Sequence, residues 1–520
     1  MLFNSIQYLI FFPVVTLFYF VVPKKIRYLW LLAASYFFYI CWNAKYGLLI
    51  FFSTFVTWVS GIALDRLNQK ADRLHPKTDW FGQKEDSPEE KRITSRKKAV
   101  AVLCLLLNLG LLFYFKYTDF AFRTAEKLFG MAHIKLHVPS FDIVLPVGIS
   151  FFIFQALGYM IDVYRGERGE KGGIRAEYNF FRYALFVSFF PQLVAGPIER
   201  SKNLLLQLRE PKAFDSDNAR SGLLTMGYGL FLKIVLADRI AAVADPVFAS
   251  PDSYAGMELL AATLLFAFQI YCDFQGYTKL AIGSAKVLGI RLNENFDSPY
   301  HALSVKDFWR RWHISLTSWF RDYLYIPLGG SRKGRVRKYI NTMIVFLSSG
   351  LWHGAAWHYV VWGGLNGTLS VLEDLLRPVK EKLCGRFSID QKQFGYRILQ
   401  RAATFVIIDF TWLFFRADSF RLALHMLKRI LFDFRWEWFL NMGFVSLFES
   451  ADSMMVIAAA LFVLFAVDSL QYLRKDIKAA IFGQQIVFRW IFYWLFFMAI
   501  LYWGLYGTGY EQTQFIYFQF

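Results

Sequence analysis

Stretches of roughly 20 apolar residues recur along nearly the whole of this 520-residue chain, and no other feature constrains its folding as strongly. Each is long enough to cross a hydrocarbon core of about 30 Å. Inside lipid every backbone amide must find its partner within the protein. These runs lack the two-residue alternation of a barrel strand, so helices are expected. The expected spans lie near residues 5–22, 28–42, 46–63, 99–115, 143–163, 223–247, 257–275, 339–351, 355–376, 398–416, 454–470 and 487–506. The fold class is therefore all-α polytopic membrane protein, with about eleven or twelve crossings plus re-entrant or interfacial pieces.

Charge orients the spans. Lys24, Lys25 and Arg27 follow the first and place that turn in the cytoplasm. Counting crossings from there puts the stretch from Arg66 to Lys98 inside, as a flexible polar loop, together with Arg165, Arg168, Lys171 and Arg175. The net charge of +18 is thus read as topology, with no nucleic-acid partner needed. The first apolar stretch lacks a basic lead-in and a small-residue cleavage pattern, and reads as a retained span. The four cysteines, Cys41, Cys104, Cys272 and Cys384, have no CxxC spacing, so neither a disulfide framework nor a metal site is expected. No internal repeat is evident, and a single membrane domain over 1–520 is expected. It divides into N-terminal helices to 115, a core at about 143–376 and C-terminal helices over 398–520.

Two segments carry candidate chemistry. In SVKDFWRRWHISLTSWFRD, residues 304–322, Ser304 and Asp307 form a capping box, and Trp309, Trp312, Leu316 and Trp319 recur at helical spacing beside His313. An interfacial helix with an aromatic belt and snorkelling Arg310, Arg311 and Arg321 is one reading; a site residue at His313 is the other. Downstream, Arg332, Lys333, Arg335, Arg337 and Lys338 form a basic patch after Gly329 and Gly330, suited to phosphate. In LSSGLWHGAAWHYVVWGGLNG, residues 347–367, His353 stands between small residues with Trp352 beside it. A histidine in an apolar segment is costly, and a neutral ring can act as a general base near neutral pH. His358 is off that face and reads as structural. No nucleophile elbow, Walker loop, dinucleotide fingerprint or HExxH motif accompanies them.

These motifs, with FFPQLVAGPIER at 189–200, CDFQGYTKLAIG at 272–283, RRWHISL from Arg310, GLWHGAAW at 350–357 and the terminal FIYFQF, resemble the membrane-bound O-acyltransferase family, in its bacterial alginate O-acetylation branch. The resemblance implies that His353 is catalytic and His313 the second signature histidine. It implies that they sit in a tunnel, which the reading extends to Trp309, Trp312, Trp352 and Asp307. Arg310, Arg311, Arg332, Lys333 and Arg335 are the candidate acyl-CoA phosphate ligands, with acetyl-CoA as a cosubstrate and no permanently bound cofactor. A separate extracytoplasmic SGNH or esterase-like partner would pass the acetyl group to an exported polysaccharide, and the chain would lie in the cytoplasmic (inner) membrane. Two departures from the branch stand out: Lys279 where an acid is usual, and Asn366 where a histidine is often found. The competing function classes are a transporter of acetyl groups or protons, with His353 as a relay, and a structural subunit that recruits a modifying enzyme.

Overall fold

The computed structural model describes residues 1–74, 87–134, 144–166, 173–194, 196–441, 443–448, 450–506 and 515–516. Among these residues there are helices and turns but no strand, which bears out the all-α expectation. Among the described residues, six helical stretches are both long and apolar enough to cross a membrane: Ala44–Leu74, Pro88–Met131, Gly256–Val287, Phe394–Arg416, Ala451–Tyr472 and Ile486–Trp503. Ile6–Val21 adds a shorter apolar helix. The other expected spans fall on helices that are shorter, such as Ile149–Arg165, or that carry charge, such as Arg335–His353 and Trp357–Arg386. Large apolar side chains stand exposed along these elements, including Ile6, Leu9, Ile10, Leu106, Phe462, Trp490, Trp494 and Leu495. Water would penalise such a surface and lipid would not, so the chain is a multi-pass membrane protein.

Contacts divide the chain into two compact units: residues 1–222 with 284–293, and residues 223–283 with 294–520. In the first, the almost wholly buried Ile149–Arg165 helix packs against Ala44–Leu74 and Pro88–Leu112. The described residues of the expected polar loop from Arg66 to Lys98 are helical apart from Ser87. The third helix continues to Leu74, and the next starts at Pro88, where Ser87 and Glu90 make a reciprocal capping box (Ser87 N–H to Glu90 Oε2, 2.7 Å). Residues 75–86 and the expected basic residues Arg168 and Lys171 lie outside the described residues.

The second unit is organised around two helices, Arg335–His353 and Trp357–Arg386, that pack closely. Small residues permit it: a Cβ at Gly350 would come within 2.2 Å of the Tyr359 carbonyl oxygen, and one at Gly363 within 2.3 Å of the Phe346 carbonyl oxygen. The segment 304–322 is not the single helix its periodicity suggests. It forms Val305–Arg311 and Ile314–Phe320, broken at His313, whose φ of 44° and ψ of 53° are left-handed. Backbone bonds pin the break, from Ile314 N–H to Asn295 C=O (2.9 Å) and from Asp297 N–H to Arg311 C=O (3.0 Å). The Ser304 hydroxyl caps the Asp307 N–H as expected, but the Asp307 carboxylate reaches the Leu303 N–H instead of closing the box. The aromatic stripe faces protein, since Trp312, Leu316 and Trp319 are all buried. The interfacial-belt reading is therefore set aside.

Candidate functional site

His353 is the last residue of the Arg335–His353 helix, and Gly354 after it adopts an extended backbone that side chains there would obstruct: a Cβ at Gly354 would lie 2.1 Å from the Tyr359 ring. The imidazole is only 4% exposed and is held by aromatic rings on several elements. Its centroid lies 5.0 Å from Trp352, 5.1 Å from Trp362 and 5.5 Å from Phe415. His313, 2% exposed, lies edge-on to Phe274 at 4.7 Å and approaches Trp352 at 5.8 Å. Burial pushes the His313 imidazole well below its ordinary range, so the ring is neutral at working pH.

The two imidazoles meet, with centroids 6.4 Å apart. Both line a cavity of about 260 Å³, with Lys306, Trp309, Arg310, Thr317, Arg321, Tyr325, Phe346 and Ser349 among the other walls. The chamber has an apolar body with hydroxyls and cations on its rim. The Trp309 indole N–H is buried there with no acceptor within hydrogen-bond distance among the described residues. A buried donor left in that condition is costly, and an oxygen atom bound within its reach would satisfy it.

The remaining sequence-derived candidates are distributed unevenly. Arg310 lines the cavity, whereas Arg311 is turned to the Asp307 and Asp297 carboxylates, at 3.0 and 3.4 Å, with its guanidinium over the Tyr472 ring. Arg332, Lys333 and Arg335 lie on and beside the turn before the His353 helix and are exposed, outside the cavity walls. Trp312 and Trp352 are buried but outside the cavity walls, Trp352 touching both histidines and Trp312 lying tilted against Trp412 at 4.9 Å. Asp307 contributes through Arg311 and the helix cap. Asn366 is fully buried and donates to the Trp362 backbone carbonyl (2.9 Å), one turn earlier in the same helix. Lys279 pairs with Glu294 at 2.8 Å. His358 does not line the cavity.

Sequence reasoning missed Phe274, Phe415, Lys306 and Tyr325. Phe274 and Phe415 reach the histidines from distant helices, and nothing local marks them. Phe274 is itself backed by Phe515 (5.8 Å) from the terminal FIYFQF, of which Phe515 and Ile516 are described; the Ile516 N–H donates to Asp273 (2.7 Å), a carboxylate also paired with buried Lys233 (2.7 Å). No metal-ligating cluster occurs among the described residues.

Residues 165–415, which contain both histidines, match the family model described as membrane-bound O-acyltransferase. A peptidoglycan O-acetyltransferase of Helicobacter pylori is 33% identical over 458 residues, 82% of this chain and 79% of that protein. A "probable alginate O-acetylase" of Pseudomonas putida is 34% identical over 431 residues, again 82% and 79%. A teichoic acid D-alanyltransferase of Streptococcus thermophilus is 30% identical over 272 residues, 49% of this chain and 61% of that protein.

Proposed function

The chain belongs to the membrane-bound O-acyltransferase family, and from that premise we propose that this O-acyltransferase takes an acetyl group from cytoplasmic acetyl-CoA and delivers it across the inner membrane towards a hydroxyl of an exported polysaccharide. The observation that carries the reading is the convergence of His353 and His313 on one cavity, whose walls include Trp309. Relatives named as acetyltransferases of peptidoglycan and alginate favour acetyl as the group. An extracytoplasmic esterase-like partner would complete delivery.

The chemistry follows from the placement. The thioester carbonyl enters the cavity that both imidazoles line, their centroids 6.4 Å apart. His353 removes the proton from the acceptor hydroxyl as its oxygen bonds to the carbonyl carbon. Its position at a helix C-terminus favours the positive charge that it then carries. The oxyanion accepts the Trp309 N–H, and neutral His313 orients the donor carbonyl or the hydroxyl. Collapse breaks the carbon–sulfur bond, and the sulfur takes the proton from His353, releasing the thiol. Arg310 at the rim and the exposed Arg332, Lys333 and Arg335 attract the phosphates of the donor. Arg311, bound to two carboxylates, is assigned to structure instead.

The test is transfer from acetyl-labelled acetyl-CoA by purified protein supplied with its partner. His353→Ala should lower the rate by about 10²- to 10⁴-fold, the usual worth of a general base. Transfer at the unmutated rate would sink the assignment, and movement of intact donor into proteoliposomes without thiol release would favour a carrier.

A further inference from the structure

The first unit holds a second cavity, of about 300 Å³, whose walls include Tyr19, Lys24, Lys25, Arg27, Arg182 and Arg209. The acyl-transfer chemistry makes no use of it. Its cations are poorly balanced. Arg27 is 8% exposed, and its guanidinium donates to three carbonyl oxygens, of Val22 (2.9 Å), Phe20 (2.8 Å) and Lys212 (2.6 Å), while forming no ion pair among the described residues. It is thus fixed in place with its full charge. Arg182 and Arg209 share one buried carboxylate, Glu177, at 3.4 and 2.8 Å. Glu210, the acid in the wall, pairs with Lys212. Lys24 and Lys25 are exposed and form no ion pair among the described residues. A buried, immobilised cation ringed by further cations is stabilised by an anion from outside the chain.

The setting specifies which anion. The cavity opens where the apolar Ile6–Val21 helix ends, the level at which lipid headgroups lie, and Leu17, Phe18 and Val21 stand exposed along that helix. Its own walls mix cations with Leu31, Leu185, Leu208 and Ile290. A soluble phosphoanion would use only the cations. A phospholipid uses both, its phosphate in the cavity and its chains along the exposed helix face. We infer that this cavity binds a phosphate group, supplied by the headgroup of an anionic phospholipid.

The experiment is native mass spectrometry of the full-length protein in detergent, titrated in separate arms with phosphatidylglycerol, phosphatidylethanolamine and inorganic phosphate. One phosphatidylglycerol is expected to be retained under conditions that strip phosphatidylethanolamine. The K24Q/K25Q variant, altered only at two exposed side chains, should weaken that retention about 10- to 30-fold while melting at the unmutated temperature in lipid-free detergent. Equal retention of both lipids by both proteins overturns the inference. Thermal protection by inorganic phosphate, lost in K24Q/K25Q and without any phosphatidylglycerol adduct, assigns the cavity to a soluble phosphoanion and overturns the lipid assignment.

Discussion

Replacing Trp309 by Phe should separate activity from stability, because the two depend on different parts of the same side chain. The ring packs 5.5 Å from Phe346 and 5.6 Å from Trp362, contacts that a Phe ring largely keeps. What Phe lacks is the indole N–H, buried at the cavity with no acceptor among the described residues. If that donor meets the oxyanion, its loss costs about 3–4 kcal/mol in the transition state, a fall in kcat of about 10²- to 10³-fold. In the resting protein the same deletion removes an unsatisfied buried donor, worth about 1–3 kcal/mol of relief. The smaller ring loses about 1–2 kcal/mol of packing in exchange. The two nearly cancel, so the melting temperature should stay within about 3 °C. Single-turnover release of thiol from acetyl-CoA, read beside thermal melting in the same detergent, measures both. A variant within threefold of the unmutated rate would refute the oxyanion role. A fall in activity matched by a melting temperature several degrees lower would mean that Trp309 acts by packing alone.

Three further variants probe other parts of the protein. Gly350→Ala would drive a Cβ to 2.2 Å from the Tyr359 carbonyl oxygen; neither backbone can yield cheaply, so about 2–3 kcal/mol of stability should go, read as a lower melting temperature, and an unchanged one would mean that the helices can separate freely. The triple variant R332Q/K333Q/R335Q should raise the KM for acetyl-CoA about tenfold with kcat nearly constant, because phosphate contacts far from the carbonyl bind ground and transition states alike; a fall in kcat at constant KM contradicts the donor-binding role. Glu199, in the connection after the Phe190–Leu193 helix, tests pH dependence. Burial pushes its carboxyl up to about 7, against hydrogen bonds from Asn293 and Asn203 that favour the charged form. The folded state therefore holds the proton more tightly than the unfolded one. This contribution is complete below about pH 4.5 and lost as pH rises through about 7, by at most about 3 kcal/mol. Glu199→Gln should flatten that slope, and a melting-temperature difference between variant and unmutated protein that is constant from pH 5 to 8 would show that Glu199 does not titrate there.

What the sequence disclosed was whatever is written locally. Membrane residence follows from the length of the apolar runs, and the cost of an imidazole among Leu351, Trp352 and small residues marks His353 without knowledge of any neighbour. His313 was harder to place, since the 3.6-residue periodicity from Trp309 to Trp319 is that of an unbroken helix. The break at His313 is imposed from a distance, by Asn295 and Asp297 supplying backbone partners to Ile314 and Arg311. That break turns a ring that would otherwise follow the stripe into one that faces His353 at 6.4 Å. The same limit explains the arginines. Arg310 and Arg311 are adjacent and equally basic on paper, but Asp297 and Asp307 claim Arg311 and leave Arg310 at the cavity. It explains Asn366 as well, whose departure from the expected histidine removes a proton carrier yet keeps a buried donor on the Trp362 carbonyl. The chemistry each residue can offer is written locally; the convergence of His313 and His353 on one cavity is a property of the tertiary bonds that bend residues 304–322 around His313.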